Sequence, residues 1–339
     1  METNVRKRPV SMMDVAKYAG VSQKTVSRVV NNEPHVKEAV RAKVEEAIKD
    51  LGFRPNHAAR SLVTQRTMRL GVISAGSGFS GPASLLRGIE AAAREAGYFS
   101  IVSRLQEATP QEFQLAINEL IAQGAEGIVL SESIDIGHPD LQFPPGFPVL
   151  SLDARDKGRE TELVVGADEI GGARLATEHL LALGHQQVFH IAGAPTWSAT
   201  QRRVQGWREA LADAGIQIPT VRYGDWSPTS GYHIMQKLLA EEPVSAVFAA
   251  NDLMAIGAMK AIQDNGLVVP QSISVVGFDD IPESEFLPTP LTTIRQDFDE
   301  VARVVVYRLI RAIEGHRPAE QTRVIPVQLM RRGSTAKAQ

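Results

Sequence analysis

Residues 11–32 read SMMDVAKYAGVSQKTVSRVVNN, and this stretch predicts two short helices joined by a tight turn. Ser11 and Asp14 have the spacing of a capping box, so the first helix is expected to begin there. Gly20 suits the left-handed residue that ends this helix, and Ser22 can cap a second helix directly afterwards.

A third helix is predicted further along, and it completes a small three-helix unit. Its apolar positions recur at helical spacing and Gly52 closes it: Val40, Val44, Ile48 and Leu51. The first two helices are expected to pack through Val15, Ala16, Val21, Val26 and Val29. Three short helices with a glycine in the first turn describe a helix-turn-helix.

The second helix is expected to present polar side chains that suit DNA. Its outward positions are Gln23, Lys24, Ser27 and Arg28. Long donors on such a helix reach base edges in the major groove, and Arg28 can grip a guanine through two hydrogen bonds. The small hydroxyls of Ser22, Thr25 and Ser27 suit phosphate oxygens. The alternative is a three-helix packing module whose polar residues are merely solvated.

The charge distribution points to the same partner. Residues 1–68 carry 13 Lys and Arg against 7 Asp and Glu, whereas residues 69–339 carry 23 against 32. A basic N-terminal segment on an acidic remainder indicates a polyanion partner for that segment alone. A solvated surface helix with a chance surplus of base would give the same count.

Residues 53–62, FRPNHAARSL, predict one more short helix after the three-helix unit. Asn56 can cap it, but a helix of this length is unstable alone because nucleation costs more than one turn returns. We therefore expect it to be disordered in the free protein unless something docks on it. Leu62 at its tip suits a minor-groove wedge. The alternative is an ordinary linker with an accidental leucine.

Three motifs in this region resemble the LacI–GalR family of bacterial repressors: MDVAKYAGVS (13–22), TVSRVVNN (25–32) and LGFRPNHAARSL (51–62). The resemblance implies that Gln23, Lys24 and Arg28 read bases, and that Leu62 is the leucine lever of the hinge. The full set of expected DNA contacts is Ser22, Gln23, Lys24, Thr25, Ser27, Arg28, Asn31, His35, Asn56, Ala59 and Leu62.

After Thr67 the pattern changes to short apolar runs that alternate with helix-length segments. Continuous apolar strands between helices predict parallel sheets covered on both faces. We expect two α/β subdomains, split near Gly166, with a late return of the chain near Leu291. A TIM barrel is the alternative architecture. The predicted strands are 70–74, 100–103, 127–130, 148–153, 188–192, 245–250 and 274–278.

The expected domains follow from these patterns and from the resemblance, which implies doubly wound sheets like those of periplasmic binding proteins. Residues 1–55 form the helix-turn-helix domain, 56–67 the hinge helix and linker, and 68–339 the effector-binding and dimerisation domain. Within the last, the first subdomain is expected at 68–165 and 296–325, and the second at 166–295 and 326–339.

Polar residues at the carboxyl ends of the predicted strands form a candidate ligand site, because open α/β sheets bind ligands there. They are Asp153, Asn251, Asp252, Asp279, Asp280 and Gln296, with Arg203 and Trp226 close after two further strands. Carboxylates, an amide and an arginine around an indole suit a sugar, whose hydroxyls take paired donors and acceptors. Each residue alone could instead cap a helix.

Further motifs extend the family resemblance over nearly the whole chain: HLLALGHQ (179–186), GDWS (224–227), ANDLMAIGAM (250–259), SVVGFDD (274–280) and LTTIRQDF (291–298). The resemblance implies effector contacts at Asp153, Arg203, Trp226, Asn251, Asp279, Gln296 and Phe298. It implies a small sugar, a galactoside or related saccharide. Ala75 departs from the pattern, since members with a lac-type site have a serine there that touches the sugar, and this leaves the identity of the sugar open.

Enzyme and metal functions are not favoured. The chain has no cysteine, which excludes thiolate zinc sites and cysteine nucleophiles. Residues 76–78, GSG, lack the third glycine of a dinucleotide site and a Walker lysine. Asp279 and Asp280 are adjacent and point to opposite faces, so they cannot flank one bond as a glycosidase pair. No catalytic residue, cofactor or metal is expected. A sugar-binding or sugar-cleaving protein with an incidental basic segment remains the alternative to a repressor.

The expected partners are double-stranded operator DNA, a small sugar and a second copy of the chain, because operators usually consist of two half-sites. No apolar run is long enough for a membrane span and no secretory signal precedes residue 11, so a cytoplasmic protein is expected, nucleoid-associated when bound to operator. Residues 330–339 carry no leucine heptads, which favours a dimer over a tetramer. Whether the sugar induces or corepresses stays open.

Overall fold

The computed structural model describes residues 8, 10–31, 33–54, 66–74, 79–107, 109–131, 141–152, 163–316, 320 and 322–339. The chain divides into two compact units, residues 1–67 and 68–339, which we call the head and the body. The predicted hinge helix, with Asn56, Ala59 and Leu62, lies outside the described residues, as do Ala75 and Asp153.

The head contains the predicted helix-turn-helix. Its helices are α1 (Met12–Ala19), α2 (Gln23–Val30) and α3 (Glu38–Leu51). Ser11 caps α1 and forms both hydrogen bonds of a capping box with Asp14, and Gly20 ends the helix in the left-handed conformation, with φ 67°. Val15, Val26 and Val44, one from each helix, are completely buried and form the centre of the core.

The first subdomain of the body is a parallel sheet with helices on both faces. Its strands are β1 (Arg69–Ser74), β2 (Phe99–Arg104), β3 (Gly127–Leu130), β4 (Val149–Leu152), β5 (Leu163–Ala167) and β11 (Thr322–Ile325), in the order β11-β5-β4-β3-β1-β2. Helices α4 (Ser80–Glu95) and α11 (Phe298–Ile313) cover one face. Helix α5 (Pro110–Ala122) covers the other, against Ile73 and Ile128.

The second subdomain repeats this layering. Its strands are β6 (Phe189–Ala192), β7 (Arg222–Tyr223), β8 (Ala246–Ala249), β9 (Ser274–Asp279), β10 (Thr292–Arg295) and β12 (Gln328–Met330), in the order β12-β10-β9-β8-β6-β7. The pairs are parallel except for β10 with β12 at the edge. Its helices are α6 (Glu169–Ala182), α7 (Ser198–Asp213), α8 (Pro228–Glu241), α9 (Asp252–Asp264) and the short α10 (Glu283–Phe286).

The chain passes between the two sheets three times. It leaves the first sheet after β5 and returns at α11, and β11 and β12 then lie in different sheets. The return follows β10, since Thr292–Arg295 still pairs with β9. Two open sheets overturn the TIM barrel, which needs one closed sheet. No helix in the described part of the chain is long and apolar enough to cross a membrane.

Candidate functional site

The side chains that are predicted to read bases lie on the exposed face of α2. Gln23, Lys24 and Arg28 are exposed, whereas Val26 and Val29 on the opposite side of the helix are buried. Lys24 and Arg28 are four positions apart and lie on one face of the helix, and Gln23 adjoins Lys24 in its first turn. The three long polar side chains therefore form a continuous donor surface, which we call the α2 face.

The smaller polar residues around the α2 face hydrogen-bond within the head. Ser22 caps α2, accepting a hydrogen bond from the backbone N–H of Thr25 at 3.2 Å. The Asn31 amide donates to the Ser27 hydroxyl at 3.3 Å. His35 is exposed and has a positive φ of 71°. Ser22 therefore has a structural role in addition to the phosphate contact predicted for it.

Arg28 forms an ion pair with Glu33 at 3.5 Å, and each side chain is about half exposed. Exposed pairs of this kind contribute only about 0–1 kcal/mol to stability. A guanine or a phosphate can therefore replace Glu33 as the partner of Arg28 with little loss of stability in the head.

The body holds a cavity of about 120 Å³ whose walls come from both subdomains. From the first subdomain, the cavity is lined by Ser131, which follows β3, by Leu152, which ends β4, and by Phe79, which precedes α4. From the second, the cavity is lined by Glu169, Arg203, Trp226, Asn251 and Asp279. Carboxyl ends of parallel strands face the cavity from two sheets, as in open α/β proteins that bind ligands there.

Arg203 is the centre of the polar wall and is almost fully buried. Its Nε donates to Glu169 Oε2 at 2.5 Å, and its Nη2 donates to Glu169 Oε1 at 3.2 Å. Its Nη1 donates to the carbonyl oxygen of Ala250. The guanidinium lies over the Phe278 ring, 3.8 Å from the centroid. Hydrogen bonds and stacking together fix the orientation of this cation.

Glu169 was not predicted, although it is buried beside Arg203 and lines the cavity. Residues 163–169, LVVGADE, are an apolar run that ends in acids, like SVVGFDD at 274–280. The same rule that selected Asp279 would have selected Glu169 had the run been recognised as a strand. Ser131 was also missed, although it directly follows the predicted strand 127–130.

Asp279 lies on the other side of the same guanidinium. Its Oδ1 is 3.6 Å from Arg203 Nη2 and accepts a hydrogen bond from the Gln296 amide at 2.7 Å. Burial raises the pKa of Asp279 to about 7; Arg203 opposes this rise, while the carboxylates of Asp252 and Glu169 add to it. The site therefore takes up a proton more readily than an exposed aspartate does.

Aromatic side chains form the apolar wall. Trp226 is buried and has a positive φ of 72°. Its ring contacts Trp197 edge to face, with 5.7 Å between the centroids, and Trp197 contacts Phe79 in the same way at 5.8 Å. A Cβ on Gly193 would lie 2.2 Å from the indole, so only glycine admits the ring there. The indole Nε1 is buried and has no hydrogen-bond partner among the described residues.

Asn251 and Phe298 complete the predicted set at the cavity. The Asn251 side chain caps α9 by accepting from Met254 N at 2.9 Å and donates to the Trp226 carbonyl at 3.1 Å. It therefore holds the backbone of Trp226 in its unusual conformation. Phe298, the first residue of α11, brings the first subdomain to the same cavity.

Two strand-end acids that the sequence singled out do not line the cavity. Asp252 is completely buried beneath it, where it accepts hydrogen bonds from Ser284 and Thr293 hydroxyls at 2.7 and 2.5 Å. The second acid, Asp280, forms ion pairs with Arg295 at 2.6 Å and Arg332 at 2.7 Å. Asp252 and Asp280 thus stabilise the second subdomain through these hydrogen bonds and ion pairs.

The structure brings six of the seven expected effector residues to one cavity: Arg203, Trp226, Asn251, Asp279, Gln296 and Phe298. The seventh, Asp153, lies outside the described residues. Within the described ranges, no group of three or more potential metal ligands comes together. The arrangement offers fixed donors, fixed acceptors and an aromatic face to a small polar ligand.

Two family models match the chain. Residues 11–56 match the model described as bacterial regulatory proteins, lacI family, and residues 177–335 match the periplasmic binding protein-like domain. The first match covers the helix-turn-helix, and the second covers the greater part of the second subdomain.

Named relatives are similar over nearly their whole length. The lactose operon repressor of Escherichia coli (strain K12) is 35% identical over 97% of this chain and 91% of its own. The ribose operon repressor of the same strain is 34% identical over 96% and 99%. The HTH-type transcriptional regulator CelR of Thermobifida fusca is 35% identical over 97% and 99%.

Solved structures agree with these relatives. The lac repressor dimer bound to operator and the anti-inducer ONPF has a TM-score of 0.85 at 35% identity, covering 97% of this chain and 100% of that one. The CelR–cellobiose complex has a TM-score of 0.73 at 31% identity, covering 96% and 100%.

Proposed function

The chain belongs to the lacI family of bacterial regulatory proteins, and from that premise we propose that it is an operator-binding repressor controlled by a galactoside or related saccharide bound between its two subdomains. It is a DNA-binding transcriptional repressor with a sugar-binding effector domain, and it is not an enzyme.

In the proposed mode of DNA binding, the α2 face enters the major groove. Gln23, Lys24 and Arg28 contact base edges, and the hydroxyls of Ser22 and Thr25 contact phosphates. Exposure of the long donors on one face supports this assignment. Ser27, Asn31 and His35 lie at or beyond the carboxyl half of α2, where contacts to the backbone of the operator are expected.

The observation that carries the effector assignment is the cavity wall, where Arg203, Glu169, Asp279 and Gln296 face the indole of Trp226. Hydroxyl groups need fixed donors and acceptors, and the C–H face of a pyranose packs on an aromatic ring. A sugar in this cavity would contact both subdomains at once. It would therefore favour one relative orientation of the two subdomains over others.

The choice of a galactoside rather than another saccharide rests on the similarity to the lactose operon repressor. Relatives of nearly equal identity are named for ribose and cellobiose, so these two sugars are the alternatives that the experiment must include.

We propose that the repressor acts as a homodimer in the cytoplasm, at the nucleoid when it is bound to its operator. The similar lac repressor structure is described as a dimer on operator, and two-fold symmetric proteins match two half-sites. Sedimentation of the full chain should give twice 36.8 kDa. A monomer at micromolar concentration would contradict this part of the proposal.

In the proposed coupling, the orientation of the subdomains sets the spacing of the two hinge segments, residues 56–62. Held close together, both segments fold as helices and insert Leu62 into the minor groove. Spread apart, they melt, and specific binding loses this contact. The segment lies outside the described residues, so hydrogen exchange across 56–62, with and without operator and sugar, is the way to observe it.

The experiment that tests the proposed function is a mobility-shift titration on DNA upstream of the gene. A thermal-shift screen of mono- and disaccharides first finds the effector, since a ligand at 100 times its Kd adds roughly 2.7 kcal/mol of stability. We expect one sugar to stabilise the body and to change operator affinity. If the protein binds this DNA with an affinity that no sugar changes, effector control is contradicted.

A further inference from the structure

We propose that the cavity accepts an uncharged sugar and rejects anionic ones, such as uronates and sugar phosphates, and that Glu169 is the residue that sets this choice. The inference rests on the proposed function, because it names the chemical class of the effector at that same site. It goes further in assigning the discrimination to a residue outside the expected contact set.

Arginine is the residue that proteins commonly use to bind carboxylates and phosphates, through two parallel hydrogen bonds. In this cavity that two-point contact of Arg203 is already made internally, by Glu169 at 2.5 and 3.2 Å. A third acceptor, the Ala250 carbonyl, takes Nη1. An anionic ligand would have to displace a buried carboxylate from its cation before it could form the same contact.

The balance of charge reinforces this effect. Among the described residues that line the cavity, the charged side chains are Arg203, Glu169 and Asp279. One cation thus faces two carboxylates, and all three are more than nine-tenths buried. A ligand anion would add a further negative charge at short range in a poorly solvated site, which is unfavourable. Burial is the main cause of the raised pKa of Asp279, and the nearby carboxylates of Asp252 and Glu169 add to the rise.

The remaining polar groups of the cavity suit hydroxyls. The buried Nε1 of Trp226 and the buried Oγ of Ser131 have no hydrogen-bond partner among the described residues. They come from the two subdomains, so a neutral polyol between them could satisfy one group on each side. Buried polar atoms without partners are costly, which makes such a ligand favourable.

A purely structural role for Glu169 is the competing interpretation. In that case the carboxylate joins the start of α6 to α7 through Arg203, and its loss weakens binding of every ligand equally. The two interpretations differ in the ratio of affinities for an acidic and a neutral sugar, which a structural role does not change.

The test measures binding of matched sugars to the full chain by tryptophan fluorescence, since Trp197 and Trp226 line the cavity. The pairs are galactose with galacturonate, glucose with glucuronate, and ribose with ribose 5-phosphate. We expect at least one of these pairs to bind to the unmodified protein. In that pair, the neutral sugar should bind at least 100-fold more tightly than the acidic one. An acidic member that binds as tightly as its neutral partner would overturn the proposal.

Variants then assign the discrimination to Glu169. Glu169→Gln should reduce the ratio of acidic to neutral Kd at least tenfold, while Glu169→Asp, which keeps the charge, should preserve most of it. Glu178→Gln is the matched control, because Glu178 lies on the same helix and pairs with the surface residue Arg174 at 3.0 Å. A ratio that Glu169→Gln leaves unchanged would assign Glu169 a structural role only.

Inorganic phosphate provides a probe that does not depend on the identity of the sugar. At equal ionic strength, exchanging chloride for phosphate should leave the melting temperature of the unmodified body unchanged and raise that of Glu169→Gln by several degrees. If no sugar of either class binds, the proposed function fails for these ligands, and the phosphate arm still decides the inference. Stabilisation of the unmodified protein by phosphate, with quenching of Trp226, would contradict it.

Discussion

The head and the body differ in where their functional side chains lie. In the head, Gln23, Lys24 and Arg28 are exposed on a single helix of eight residues. In the body, Arg203 and Glu169 are buried, and they are 34 positions apart in the sequence. The head presents charge to an external polyanion, whereas the body balances charge internally around a small cavity.

This difference has consequences for how each region responds to change. Exposed charges interact weakly with their neighbours, so substitutions on the α2 face should change the stability of the head only slightly. Buried charges that share partners are coupled, so a substitution at one of them changes the ionisation and orientation of the others. Variants in the two regions can therefore separate DNA binding from sugar binding.

The largest expected effect is that of Arg203→Ala. Removing one partner of a buried ion pair leaves Glu169 uncompensated, and the free energy of unfolding of the body should fall by about 3–5 kcal/mol. Operator binding should persist wherever the variant is folded, while the response to sugar is lost. Urea unfolding followed by tryptophan fluorescence measures the loss of stability.

Arg174→Ala is the control for this variant. Arg174 contacts three carboxylates, Glu178, Glu209 and Asp213, but on the surface. We expect a loss of no more than about 1 kcal/mol. Equal losses for the two arginines would show that burial is not what distinguishes the body.

Asp279→Asn should change the dependence of stability on pH. Burial raises the folded-state pKa of Asp279 from its ordinary value of 3.8 to about 7, so the folded state binds this proton more tightly than the unfolded state. The group therefore destabilises the body progressively as pH rises through about 7. Between about pH 5 and 8 the variant should gain on the order of 2 kcal/mol relative to the unmodified protein. Parallel pH profiles of the two proteins would contradict this ionisation.

Arg28→Ala should remove discrimination between bases and leave the cavity unaffected. Loss of a two-point contact to guanine corresponds to roughly 1–3 kcal/mol of specificity. The measurement is the ratio of affinities for operator and random DNA at fixed salt. Lys43→Ala, an exposed cation on α3, is the control. It should leave that ratio unchanged, and a ratio that Arg28→Ala also leaves unchanged would sink the assignment.

The smallest expected effects come from two helix caps, one in each region. Ser22 caps α2 and Ser227 caps α8, each by accepting a backbone hydrogen bond three residues along. Substitution by alanine should lower the stability of the region concerned by about 1 kcal/mol. Only Ser22→Ala should also weaken operator binding. Weaker operator binding by Ser227→Ala would mean that the head is sensitive to local stability anywhere in the body.

Local patterns in the sequence were sufficient for much of the fold. The capping box at Ser11 and the apolar spacing of α1 and α2 are complete within a few residues. The predicted strands were continuous apolar runs, and each of them is present in the structure. Strand β10, with its two threonines, was missed because its polar side chains are buried by long-range partners. The edge strands β7 and β12 have only two and three residues, which is too short for a local pattern to define them.

The cavity shows where local pattern is insufficient. Asp279 and Gln296 were both named from the sequence, but their mutual hydrogen bond depends on the pairing of β9 with β10. Glu169 was missed with strand β5, whose run LVVGA is short and interrupted by a glycine. Its pairing with Arg203, and the resulting balance of charge, requires the three-dimensional structure.

The central claim is that a ligand in the body controls DNA binding by the head, and linkage gives its most direct test. The affinity of the effector sugar is measured by tryptophan fluorescence for the protein alone and for the protein saturated with operator. Linkage requires operator to change the sugar's Kd by the same factor by which sugar changes the operator's Kd, typically 5- to 150-fold. We expect the two factors to be equal and to lie within that range. The same sugar Kd with and without operator would contradict the account.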